Sequence, residues 1–323
     1  MAMGKKARVS YLWAALGLMV SLVSTTPALS MEAGISPWLK GFNGFMSGVL
    51  PPEPASYGTS YYYFLNGSAG KQVRNGRVEL NIDTTLNAGF LENTVVTDVN
   101  FLGGQYAFGV LVGWAGDKLS STITLPTTPL TPNGGQSVSF GNNDVTDTII
   151  TPLILGWHDG VFNWNIAANV YIPTGGYHLY QLNIGKNIWA FMPALSFTYF
   201  DPQTGWDVSG SFVFITMSNN RATDYHSGDI VQLDWAAGKH FGEGGAWEAG
   251  IGGNVVQQVA GDTGNGAKLG PFKEESVGLG PAVSYNTKLG ALPVIVSTKW
   301  EHDLVTHNTF KGNVVTASAT VVF

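Results

Sequence analysis

Cysteine is absent from the 323 residues, which rules out a disulfide framework and thiolate chemistry. Charge is scarce: Asp, Glu, Lys and Arg together make 12% of the chain, about half the share in an average soluble domain. What charge there is leans acidic, with a formal net charge of −6, so a nucleic-acid partner, which needs a basic surface, is excluded. Beyond the N-terminus no apolar run approaches the length of a membrane-spanning helix, ~20 residues. Metal-binding patterns are missing too. His158, His178, His226, His240, His302 and His307 show no HxxxH or HExxH spacing and fall in predicted turns or strand ends. The glycines at 250–253 lie inside a strand pattern, not at a strand-to-helix turn, so a nucleotide loop lacks its context. The sequence calls for no cofactor and no metal.

The N-terminus decides the compartment. Lys5, Lys6 and Arg8 precede an uncharged apolar run over 11–23, followed by small residues ending in Ala28 and Ser30. That run is too short to span a bilayer and reads as a cleaved secretory signal peptide over 1–30. Removing its three basic residues takes the mature chain from −6 to −9.

Glycine is plentiful, at 42 residues, and the mature chain alternates with period two. The clearest case is the terminal stretch 313–323, where Val315, Ala317, Ala319 and Val321 alternate with Thr316, Ser318 and Thr320. An uncharged alternating segment of this length suits a tilted transmembrane β-strand, which needs ~9–11 residues. The same rhythm recurs from residue 76, giving twelve strands at 76–91, 103–116, 118–126, 146–157, 161–173, 189–200, 206–217, 228–240, 246–259, 274–286, 292–303 and 313–323. The expected fold is all-β: a transmembrane up-and-down antiparallel barrel of twelve strands over 76–323, with fourteen as the alternative. Residues 31–75 stand apart as a plug or an extra strand, because SYYYFL (60–65) is strand-like while Pro51, Pro52 and Pro54 break regular structure.

Connections alternate between short and long. Short turns are expected at Gly116-Asp117, 158–160, 201–205, 241–245 and 287–291, and long loops at 92–102, 127–145, 174–188, 218–227, 260–273 and 304–312. Outer-membrane barrels have short periplasmic turns and longer external loops. With the last strand ending in the periplasm, Trp114, Trp157, Trp164, Trp206 and Trp247 fall beside short turns, as a periplasmic aromatic girdle requires.

The inward polar face is read as Arg77, Glu79, Asp83, Asn163, Asn165, Asn169, Asp207, Gln232, Asp234, Glu248, Asn254, Lys299 and Glu301. These side chains fill a narrow lumen or line a permeation path. Their excess of carboxylates motivates one alternative, a general cation-preferring porin. A lesser alternative, an outer-membrane enzyme, would need a hydroxyl, a His and an Asn or Asp on one wall; Ser227 beside His226 is uninformative.

Several runs resemble the outer-membrane family named for the phenol meta-cleavage degradation pathway: LPPEPASYGTSYYYFLNG (50–67), LGGQYAFGVLVG (102–113), TPLILGWHDG (151–160), YIPTGGY (171–177), NIGKNIWAFMPAL (183–195), YFDPQTGWDVS (199–209), TDYHSGD (223–229) and the terminal strand. The resemblance implies a barrel in the outer membrane of a Gram-negative bacterium, giving passage to small hydrophobic or aromatic compounds without a chemical step. It brings no catalytic or ligand-binding residues with it. The partners that follow are outer-membrane lipid and lipopolysaccharide, the barrel-assembly machinery and the solute.

A terminal aromatic resembles the assembly signal of such barrels. Deleting Phe323 is therefore expected to lower the amount of folded protein in the outer membrane without changing solute selectivity. Immunoblots of membrane fractions check this, and normal levels of the truncated protein would count against that role.

Overall fold

Alternating segments make strands, and only a closed ring of them can satisfy every backbone N–H and C=O inside a bilayer. The computed structural model describes residues 35–51, 53–73, 78–124, 135–179, 181–268 and 270–323. The signal-peptide segment 1–30 and Arg77 lie outside the described residues. The strands are Ala55–Val73 (β1), Val78–Phe101 (β2), Gly104–Thr124 (β3), Gly135–Val145 (β4), Thr148–Asp159 (β5), Phe162–Ile172 (β6), Ala190–Asp201 (β7), Trp206–Met217 (β8), Ile230–Phe241 (β9), Trp247–Gln258 (β10), Glu275–Leu289 (β11), Leu292–His307 (β12) and Lys311–Val322 (β13). All neighbours are antiparallel, β1 pairs with β13, and β2–β3 pairing closes the ring. The result is a closed twelve-stranded barrel with β4 outside the ring, bonded to the upper part of β3. No described helix is long and apolar enough to cross a membrane.

The twelve strands are not the twelve expected. β1 takes in SYYYFL and belongs to the ring, which therefore begins at Ala55 and not at residue 76. The expected strands 103–116 and 118–126 are one strand, β3. Gly116 is paired with Asn87 and Asn143 in its middle. A Gly-Asp pair reads as a turn, but here cross-strand pairing on both sides holds it extended. Residues 92–102, expected as a long loop, are the end of β2 and the tight Leu102-Gly103 turn. From β5 onward the expected strands and turns agree with the structure to within a few residues.

These shifts move one tryptophan. Trp157, Trp164, Trp206 and Trp247 lie beside short turns, with Trp157 stacked on Trp164 at 6.3 Å and Trp247 against Tyr285 at 4.3 Å. Trp114 does not belong to that rim. It shares the register row of Gly89, Tyr62 and Ala317, two residues along from the row that holds Trp300. It sits toward the long-loop rim, because the short turn it was placed beside does not exist.

Outward faces of the ring carry exposed apolar side chains, among them Val110, Phe197, Phe212, Ile251 and Val296, as a lipid-facing band requires. β2 is inverted relative to expectation. Its buried face is Ile82, Thr84, Leu86, Ala88 and Phe90, so Asp83 points outward and is exposed. Asp83 lies opposite Ser68, which pairs with Lys311, the first residue of β13. Beyond that level β1 and β2 stand clear of their β13 neighbour, and an outward carboxylate there meets water at no cost. The side chain of Glu79 falls outside the described residues.

The chain has no cysteine of its own, so single replacements report on facing. Asp83→Cys is expected to react with a membrane-impermeant maleimide on intact cells, and Thr84→Cys is not. The opposite pattern would contradict the inverted facing of β2.

Candidate functional site: the plugged lumen

Residues 35–51 run without regular structure through the barrel, down to the rim where β1 begins. Irregular backbone at this depth is tolerated only if the protein itself satisfies its polar groups. The wall does so with side chains. Asp234 accepts the N–H of Gly41 at 3.0 Å and of Asn43 at 3.1 Å. Ser209 Oγ accepts Met46 N–H and Thr198 Oγ1 accepts Gly48 N–H, each at 2.9 Å. In the other direction, Gln232 Nε2 donates to the Leu39 carbonyl, Asn165 Nδ2 to the Ser47 carbonyl and Tyr63 Oη to the Lys40 carbonyl. Five different strands thus hold one segment.

One ion pair anchors it. Lys40 Nζ lies 2.8 Å from Asp303, with Ser276 Oγ at 3.3 Å, and both charged side chains are buried. Asp303 is further held by Ser276 Oγ and the Gly312 N–H. Glu274, in the connection ahead of β11, is also buried, which pushes its carboxyl above the usual range against the pull of the Lys40 ammonium.

Close packing completes the fit. A Cβ on Gly48 would overlap the Phe197–Thr198 backbone, and one on Gly41, which also has φ 70°, would strike the Glu301 carboxylate. Ile35, Leu39 and Phe42 pack against the buried Tyr63, Leu65, Leu86, Ala88 and Phe90. The apolar inner face of β2 is thereby explained: its partner is the plug, not water. Phe42 packs against Tyr61 with the rings tilted at 34° and their centroids 4.7 Å apart, and meets Phe90 edge-on at 6.0 Å.

Of the inward residues read from the sequence, Asn163, Asn165, Asn169, Asp207, Gln232, Asp234, Glu248, Asn254, Lys299 and Glu301 are on the inner face, and all but Asn163 are buried. Asp234, Gln232 and Asn165 touch the plug directly, and Lys299 donates to the Asn43 carbonyl. Glu248 lies 3.5 Å from His240 Nε2 near the short-turn rim, and Asn163 bonds His158. Asp83 faces away and is not part of this set.

The sequence reading missed Lys40, Ser209, Thr198 and Asp303. Asp303 continues the alternation of Lys299 and Glu301, and Ser209 that of Asp207, so both were within reach. It also missed Glu92 and Asp117, because the strands carrying them were cut short or split.

Between plug and wall a cavity of about 210 Å³ remains. Plug residues Ile35, Trp38 and Phe42 form one side, and β1, β2, β3, β5 and β6 form the other, with Tyr61, Phe90, Leu111 and Ile149 among its apolar surfaces. Asn183, Ile184 and Lys186 of the long connection after β6 also line it. That connection folds inward because Asp147 accepts the N–H of Gly175 and of Lys186, both at 2.7 Å. An apolar cavity of ~150 Å³ holds benzene, so this one has room for a single substituted ring.

A profile of the family described as "Putative MetA-pathway of phenol degradation" matches residues 66–319. The chain belongs to that family. Among solved structures, an outer membrane channel from Pseudomonas putida matches with a TM-score of 0.63 and 14% identity, over 86% of this chain and 98% of that one. The barrel is therefore of the outer-membrane type. The β-domain of the Bordetella autotransporter BrkA (TM-score 0.44, 13% identity, 84% and 99% covered) and a loop-deletion mutant of OmpT from Vibrio cholerae (0.40, 8%, 84% and 99%) are looser likenesses. No curated protein sequence matches the chain.

Breaking a buried ion pair by removing one partner costs ~3–5 kcal/mol. Lys40→Met is accordingly expected to shift seating of the plug by two orders of magnitude or more, lowering amide protection over 35–51 while β7–β10 stay protected. Lys288→Met, at an exposed position, serves as control. Unchanged protection in Lys40→Met, measured by hydrogen exchange, would contradict the anchoring role.

Proposed function

We propose that the protein resides in the outer membrane and gives small hydrophobic or aromatic solutes a route across it, with no chemical step and no cofactor. The observation that carries this reading is the lumen itself. A polar barrel interior is closed by an apolar-faced plug, and beside the plug lies a ring-sized cavity with aromatic side chains in its wall. The family to which the chain belongs carries a phenol-degradation description, and a solved structure that shares its fold is a channel. Both favour solute passage over a structural role.

Passage requires the plug or the loop held by Asp147 to move. The plug is held by side chain to backbone hydrogen bonds, each worth ~1 kcal/mol net, and by the buried Lys40–Asp303 ion pair. Such a segment can leave without breaking the strand pairing of the ring. The porin alternative draws less support. Asp234 and Asp303, two of the carboxylates that would give cation preference, spend their oxygens on Gly41, Asn43 and Lys40. Placement in the outer membrane puts the short turns and the four tryptophans beside them in the periplasm.

Two measurements test this. Deleting the gene is expected to reduce uptake of small aromatic solutes by intact cells, with recovery on re-expression. Unchanged uptake across a broad aromatic panel would overturn the reading. Removing residues 35–51 is expected to turn a silent or flickering protein in planar bilayers into a steadily conducting one. Identical traces would contradict closure by the plug.

A further inference from the structure

The cavity beside the plug has two features that solute passage alone does not demand. The first is a pair of unpartnered polar atoms. Trp38 Nε1 and Thr146 Oγ1 are both buried without a hydrogen-bond partner, and both residues line the cavity. An indole N–H can only donate, so it calls for an acceptor. A buried donor left alone is costly, and a ligand oxygen would relieve that cost.

The second is charge. Three carboxylates line the cavity, Glu92, Asp117 and Asp147, against one ammonium, that of Lys186. Each carboxylate already has a partner that fixes it. Glu92 accepts from Tyr61 Oη at 2.7 Å, Asp117 from Thr84 Oγ1 at 3.0 Å, and Asp147 from two backbone N–H groups. They stand where they are without a ligand, and an anion entering the cavity would meet an excess of like charge at short range in a poorly screened interior.

We propose that this cavity is a selective binding site for neutral single-ring solutes carrying one oxygen acceptor, with Trp38 as the donor to that oxygen and the surrounding carboxylates excluding anionic rings. The inference rests on the passage reading and sharpens it. Apolar contact with Phe42, Tyr61 and Phe90 holds the ring, the indole N–H fixes its oxygen, and charge decides which rings enter.

Three probes of equal skeleton separate these contributions: toluene, benzyl alcohol and benzoate, titrated at pH 7 into the full-length protein in nanodiscs, with empty nanodiscs subtracting partition into lipid. Benzyl alcohol is expected to bind about tenfold tighter than toluene, the value of one hydrogen bond to a buried donor. Benzoate is expected to bind at least tenfold weaker than benzyl alcohol. Trp38→Phe should bring benzyl alcohol down to the toluene level and leave toluene unchanged. Glu92→Gln, which keeps an acceptor for Tyr61, should narrow the gap between benzoate and benzyl alcohol. Benzoate binding as tightly as benzyl alcohol, or Trp38→Phe weakening benzyl alcohol and toluene alike, would overturn the assignment. So would failure of all three probes to bind, whereas the passage reading falls only if cellular uptake is indifferent to the protein.

Discussion

The structure depends on one constraint: a stretch of irregular chain lies inside a membrane barrel, and its backbone polar groups must find partners there. Asp234, Ser209, Thr198, Asn165 and Gln232 supply them, from four strands of the ring. The buried Lys40–Asp303 pair fixes the register of the segment against the wall. Remove the segment and those wall residues would line an open, acidic lumen. With it in place they form a socket, and beside it lies the cavity with an aromatic wall.

That socket also explains the departures of β2 from simple barrel patterning. An outer-membrane barrel is expected to be apolar outside and polar inside. β2 reverses this because Phe42 and Leu39 of the plug need an apolar surface, which Leu86, Ala88 and Phe90 provide. The reversal is affordable because β1, β2, β3 and β4 extend past their neighbours, so the outward Asp83 is not in lipid.

Much of this was legible in the sequence, and what was not has physical causes. Period-two alternation and the spacing of turns gave the barrel, and the count of twelve agrees because splitting β3 in two offset leaving β1 out of the ring. From β6 to β12 each strand pairs only with its neighbours in chain order, and local pattern suffices. Alternation identifies two faces but not which one is inside, and for β2 hydropathy pointed the wrong way because the decisive partner is 35–51, a segment without periodicity. The Gly116-Asp117 dipeptide carries a turn signal that pairing with β2 and β4 overrides, and this one misreading displaced Trp114 and hid Asp117. Lys40 could not be found from pattern at all: its partner Asp303 is 263 residues away, and only the closed ring brings them together.

The central claim is that the segment 35–51 seated in the lumen is what closes the barrel and must move for solute to pass. A reversible lock tests it most directly. Ser47→Cys and Asn165→Cys replace a pair joined by one hydrogen bond, in a chain with no other cysteine to compete. Under oxidation the double variant should form the cross-link in cells and lose solute uptake, and reductant should restore it, while each single variant takes up solute under both conditions. Uptake that persists at the wild-type rate with the cross-link fully formed would show that the plug stays seated during passage, and would contradict the account.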